Sequence, residues 1–226
     1  MVQNQSKNLK ATSLVEKIFD DLRDDILRGN REAGSRLSIK SLSDLYGVSS
    51  IPVREALARL LSTRLVRISP NQGYFVSDPM EPDDFRQLFK MRLILESAAI
   101  RDGIKNITAD NIKLMRSLNE KMKRQTSPEK PNRGGALGLR INTEFHCVLI
   151  DLPQNRFLSQ TYRDLCFEVV TSRQIPATLV QWEAITTEHD ELIDALDAQD
   201  AELAISVVTR HMAAGQVMVL DSFTAV

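Results

Sequence analysis

Cysteine is nearly absent from this chain: only Cys147 and Cys166 occur, each inside a helical pattern, in 226 residues. Thiols this few and so placed suggest neither a disulfide framework nor a cysteine-type zinc site. No uninterrupted apolar run approaches the ~20 residues that a helix needs to cross a bilayer. The opening segment, MVQNQSKNLKATS, lacks the apolar core of a signal peptide. These absences lead to the expectation of a cytoplasmic protein without a membrane partner. Net charge is only −1, which argues against an indiscriminate nucleic-acid coat. There are no internal repeats, and histidine is confined to three positions: His146, His189 and His211.

What is present fits one large domain or two smaller ones, with 42% apolar and 26% charged residues as in ordinary soluble proteins. The charge is unevenly placed. Residues 1–79 carry a net +3 and the remainder a net −4. A mildly basic module for phosphates joined to an acidic module of another kind fits that distribution.

The most informative stretch is SIKSLSDLYGVSSIPVREALARLL, residues 38–61. Ser38 can cap a first helix whose Ile39, Leu42 and Leu45 form an apolar stripe, and Gly47 stands where a left-handed residue ends it. Ser49 or Ser50 can cap a second helix, with Pro52 in its first turn, where a missing N–H costs nothing. Val53, Ala56, Leu57, Leu60 and Leu61 then face inward and Arg54, Glu55, Arg59 and Arg64 outward, a helix-turn-helix pattern. An earlier helix should start at the capping box Ser13–Glu16, carry Leu14, Ile18, Leu22 and Ile26, and end at Gly29, leaving residues 1–12 as a disordered tail. Leu65–Ile68 and Tyr74–Val76 read as two short strands about the turn Ser69–Gly73. Three helices closed by a hairpin make a winged helix, an expected domain of residues 13–77.

Gly47-Val-Ser-Ser-Ile-Pro-Val-Arg-Glu-Ala-Leu57, with Leu65-Val and Gly73-Tyr-Phe-Val76, resembles the GntR-type winged-helix transcriptional regulators. The resemblance implies contacts to double-stranded operator DNA from Lys40, Ser49, Ser50, Ile51, Arg54, Gln72 and Gly73. Where the family usually has Arg and Thr, this sequence has Ser50 and Ile51. An arginine can donate two hydrogen bonds to guanine, worth about 1–3 kcal/mol of base discrimination, which Ser50 cannot reproduce. Arg54 is therefore the expected base reader and Lys40 a phosphate contact.

Ser77-Asp-Pro-Met-Glu-Pro82 has two prolines, and residues 78–82 are the expected linker. Helical periodicity dominates residues 83–226. A helix running to about Lys105 comes first, then one capped by Thr108. A breaker-rich loop at 126–135 follows, then helices near 136–151, 155–173, 177–199 and 201–222, giving an all-α bundle of about six helices. Each histidine lies on an apolar stripe of a separate helix. Converging imidazoles with an oxygen donor would suit Zn, Ni or a similar divalent ion.

Arg92-Leu-Ile-Leu-Glu96, Asn142-Thr-Glu-Phe-His146, Glu188-His189, Ala195-Leu196, Asp200 and Arg210-His211 resemble the FCD ligand-binding domain of the FadR subgroup. That resemblance implies a metal set of Asn142, His146, His189 and His211, with Asn142 in place of the usual Asp and hence a weaker oxygen ligand. It also implies a small carboxylic-acid effector held by arginines. Arg92 is the first choice, with an ion pair to Glu96 as its alternative role; Arg140 and then Arg173 are weaker choices. The resulting expectation is a mainly α, homodimeric, ligand-responsive transcriptional regulator, a repressor in the commoner family pattern. The alternative is a metal-dependent hydrolase, disfavoured because Glu144 and Glu188 should both point away from the histidines.

Overall fold

The computed structural model describes residues 2–126, 135–175 and 179–224, which divide into two compact units, Met1–Pro79 and Met80–Val226. The mainly α architecture expected from periodicity is observed in both.

In the first unit, α1 (Val2–Leu27) has helical backbone well ahead of the Ser13 capping box. Val15, Ile18, Leu22 and Ile26 are its buried face, and α1 packs on α3 (Ser50–Ser62). The helix-turn-helix forms as its residues dictate. Ser38 Oγ accepts from Ser41 N to open α2 (Ile39–Tyr46), and Gly47 closes it at φ 64°. Leu45 departs from the expected apolar stripe and is 67% exposed, because the short helix buries only Leu42. Two antiparallel strands, β2 (Val66–Ser69) and β3 (Gly73–Val76), form the hairpin. A third strand, β1 (Arg36–Leu37), pairs with the other side of β3. Two residues are too few to show a period of two, so no sequence pattern announces β1.

The second unit contains α4 (Pro82–Gly103), a 3-10 turn, α5 (Ala109–Gln125), α6 (Gly135–Asp151), α7 (Arg156–Asp164), α8 (Phe167–Gln174), α9 (Trp182–Asp197) and α10 (Ala201–Asp221). Most of the anticipated 126–135 loop, residues 127–134, lies outside the described residues, as do 176–178 at the start of the anticipated 177–199 helix. The single helix expected over 155–173 is two. It breaks at Cys166, which sits at φ 52° with neither Gly nor Pro to signal the break. Helix α6 lies against α4, α5, α7 and α8, while α9 packs on α5 and α10, and α10 on α4. At Gly215 of α10 the Phe89 ring of α4 lies 3.1 Å from where a Cβ would be, so the two helices approach closely. Helix α10 is the one described helix long and apolar enough to span a bilayer by composition. Its Val207, Val208, Met212 and Val219 are instead buried in the bundle.

Candidate metal centre and nucleic-acid interface

In the first unit, α3 presents its opening turn and one charged side to solvent. Ser49, Ser50 and Arg54 are exposed, and Ile51 is 72% exposed, an unusual place for a large apolar side chain. Ser49 is the N-cap residue, yet its hydroxyl makes no capping bond. One reason is local: the third helical residue, whose N–H such a hydroxyl commonly receives, is Pro52. Arg54 takes no ion pair among the described residues. Arg59 on the same helix donates to both oxygens of Glu16 at 2.9 and 3.0 Å and lies over the Phe19 ring. Arg59 thus ties α3 to α1, and Arg54 is left available. Lys40 and Gln72 are exposed, and Gly73 holds φ 97°, a conformation the tight turn into β3 requires and side chains rarely adopt.

In the second unit the three histidines converge. His146 on α6, His189 on α9 and His211 on α10 bring one ring nitrogen each within 4.8 Å of one another, and all three are buried. Ring centroids lie 5.0 to 5.3 Å apart, and Phe145 stacks on His189 at 3.9 Å. Asn142, one turn before His146, is 5% exposed. His146 Nε2, His189 Nε2 and Asn142 Oδ1 are buried with no hydrogen-bond partner. Buried polar atoms left unpaired cost free energy, so three in one neighbourhood mark a place built to receive something. Imidazole nitrogens and an amide oxygen suit a divalent ion of the zinc or nickel kind, so the residues fit the metal that their sequence pattern suggested.

Each histidine is held from behind by an oxygen. Glu96 Oε2 lies 2.9 Å from His146 Nδ1, Glu188 Oε2 is 2.8 Å from His211 Nδ1, and Asn119 Oδ1 is 3.3 Å from His189 Nδ1. The sequence reading missed Asn119, and it placed Glu188 away from the histidines. A residue adjacent to His189 does point off that histidine's face, but it reaches the neighbouring helix instead. Glu96 was visible only as a partner for Arg92.

Arg92 is not open to solvent. It is 2% exposed, and its guanidinium donates to Glu96 Oε1 at 2.9 and 3.1 Å and to Tyr162 Oη at 3.0 Å. It also lies 3.9 Å over the Phe167 ring. The geometry favours the ion-pair alternative over an effector clamp, because its charge is already matched inside the bundle. The Arg140 side chain is 56% exposed and lies 3.9 Å from Glu144. Arg173 has a partner of its own within the protein.

Burial sets the protonation of this group. It pushes the His146 imidazole down to about 4, against the pull of Glu96, and takes His189 well below its ordinary value. Burial alone would raise Glu96, but the facing His146 and Arg92 hold its carboxyl at about 2. Both depressions act in the same direction on stability. Between about pH 6.5 and 4 the unfolded chain takes up a proton at His146 that the folded chain refuses. Below about 4.5 it takes one at Glu96 that the fold also refuses. Chelator-treated protein is therefore expected to lose on the order of a few kcal/mol of stability between pH 7 and pH 4. Urea unfolding at a series of pH values checks this, and a flat profile would contradict it.

Comparison with known proteins bears on both units. Residues 14–76 match the family model described as bacterial regulatory proteins, gntR family, and residues 87–214 match that of the FCD domain. The chain is 30% identical to BphR, an uncharacterized HTH-type transcriptional regulator of Paraburkholderia xenovorans. That match spans 88% of this chain and 82% of the relative. This chain belongs to the GntR family. The regulator is also 29% identical to the HTH-type regulator McbR of Escherichia coli over 86% of its own length and 87% of McbR. It is 26% identical to the E. coli transcriptional repressor GlaR over 84% and 89%. The solved structure of E. coli McbR/YncC superposes with a TM-score of 0.70 at 22% identity, covering 93% of the regulator and 98% of that chain, which establishes a shared fold. Members of the family are transcriptional regulators that bind operator DNA. The metalloenzyme alternative finds no support among them.

Proposed function

We propose that this regulator is a cytoplasmic, homodimeric repressor that binds a palindromic operator and releases it when a small carboxylic acid occupies the three-histidine centre. On the DNA side, Arg54 reads bases in the major groove, Lys40 and the free Ser49 hydroxyl meet phosphates, and Gln72 and Gly73 carry the wing tip to the neighbouring backbone. Ser50 and Ile51 take the positions where relatives in the family present Arg and Thr, so the operator differs from the family's usual one. GlaR, a relative named as a repressor, supports the sign of the response.

On the sensing side, His146, His189, His211 and Asn142 would hold a Zn or Ni ion, which supplies a Lewis-acidic point for a carboxylate oxygen. The observation that carries this reading is the convergence of three buried imidazoles, with the Nε2 atoms of His146 and His189 and the Oδ1 of Asn142 unpartnered. Arg92 acts from one layer further out, by fixing Glu96. Coupling between the centre and operator affinity is expected to be about 1–3 kcal/mol, a several-fold to hundredfold change.

The test begins with selection of an operator from random duplex DNA by the full chain. Anisotropy titrations of that operator follow, against a panel of small acids with and without added Zn or Ni. One or more acids should weaken DNA binding only when metal is present, and should be recovered unconsumed. Turnover of an acid would point instead to an enzyme.

A further inference from the structure

Each histidine of the centre meets an acceptor at Nδ1, and two of those acceptors, Glu96 and Asn119, are themselves fixed by hydrogen bonds. Glu96 has its two oxygens divided between tasks. Oε1 receives Arg92 twice and Tyr162 Oη at 3.0 Å, leaving Oε2 for His146 alone. At 0% exposure, with three donors on one oxygen, this carboxylate has no freedom to turn. Asn119 is oriented the same way. Its Nδ2 donates to Thr186 O at 2.9 Å and to Asp190 Oδ1 at 2.8 Å, so only Oδ1 remains for His189, and Lys123 holds Asp190 in turn at 2.8 Å. Glu188 has Arg210 3.9 Å from Oε1 while Oε2 faces His211. Ionised carboxylates and the amide oxygen only accept hydrogen bonds, so each facing Nδ1 must carry the hydrogen. A neutral imidazole then has a bare Nε2, and His146 and His189 show their Nε2 atoms buried and unpaired.

We infer that Glu96, Asn119 and Glu188 are the positioning residues of this centre. They hold all three imidazoles in the Nδ1–H tautomer, with Nε2 ready to ligate before any ion arrives. The two carboxylates also supply, from behind the ligands, negative charge that Asn142 withholds. The inference rests on the metal-centre reading for its second half only, since the tautomers are a property of the metal-free protein. Groups that orient metal-bound histidines in this way commonly change affinity 10–100-fold when removed.

The experiment uses full-length protein labelled with 15N-histidine and stripped with chelator. Long-range proton–nitrogen spectra should report His146, His189 and His211 as Nδ1–H tautomers. An Nε2–H form, or an averaged mixture, at any of the three overturns the inference. Co(II) titration then compares wild type with Glu96→Gln, Glu188→Ala and, as a control, the exposed Glu144→Gln. Glu188→Ala should give His211 a mixture of tautomers and weaken Co(II) binding about 10–100-fold. Glu96→Gln must leave its amide oxygen with the three donors of Arg92 and Tyr162 and turn its NH2 towards His146, so it should shift His146 to the Nε2–H tautomer, remove the charge and weaken binding comparably. Glu144→Gln should match wild type. If Glu96→Gln fails to fold, Glu188→Ala decides alone, because Glu188 is at the bundle's edge with 16% of its side chain exposed. Unchanged Co(II) affinity in the folded glutamate variants overturns the charge role. A wild type that binds no Co(II) refutes the metal-centre reading and the charge role together, while the tautomer spectra still judge the positioning role.

Discussion

His146→Ala is expected to strip the regulator of its ion. Elemental analysis of wild type purified without chelator should find about one divalent ion per chain, and the variant should retain almost none. The size of the effect follows from what the side chain contributes. His146 is fully buried on α6, the helix in contact with four others, and its Nε2 has no other partner. Losing a supporting residue costs 10–100-fold in affinity, so losing a ligand should cost at least ~100-fold. Linkage makes the same loss visible in unfolding. An ion present at about 1,000 times its dissociation constant stabilises the fold by ~4 kcal/mol, on the order of 10 °C for a chain of this size. That metal-dependent gain should vanish in the variant. The fold itself should survive, because Glu96 keeps Arg92 and Tyr162 when His146 is gone. Asn142→Asp should act oppositely and tighten binding, since a carboxylate replaces a neutral amide. A metal-free wild type that binds acids normally would sink this account of the centre.

Arg54→Ala is expected to abolish specific operator binding while leaving circular dichroism and oligomeric state unchanged. Arg54 is exposed on α3 and ties down nothing, so its removal leaves no buried group unpaired. A bidentate arginine–guanine contact is worth about 1–3 kcal/mol, so two copies in a dimer would forfeit ~2–6 kcal/mol, roughly 30-fold to 10⁴-fold. Weak, salt-sensitive attraction to any duplex should persist, because phosphate contacts supply it. Arg59→Ala is the informative contrast. It breaks the paired contact to Glu16 and the stacking on Phe19, so its damage should appear in stability as well as in binding. An unaltered footprint with Arg54→Ala would refute its assigned role.

The legible features were those written in local chemistry. Ser38, Gly47 and the Val53–Leu60 face announce α2 and α3 because capping and helical spacing act within a few residues. The histidine stripes were legible in the same way, since each lies on one helix. Features depending on a backbone state that many residues can adopt were not. Cys166 takes a left-handed conformation without being Gly or Asn, so one anticipated helix became α7 and α8, and Phe167 of α8 lies against Arg92. The surroundings of the histidines were equally hidden. Asn119 meets His189 across 70 positions of chain and Glu96 meets His146 across 50, and helical periodicity carries no information over such separations.

The amino-acid order alone determined the winged helix, the all-helical second half and the identity of the three imidazoles, because each follows from interactions a few residues apart. Packing decided the rest. It turned Arg92 from an apparent ligand clamp into the buried counter-ion of Glu96, sent Glu188 to His211 rather than to solvent, and brought three separate helix faces to one point. Those outcomes depend on which helices become neighbours, and that is set by how the apolar faces of the whole bundle fit together rather than by any one segment.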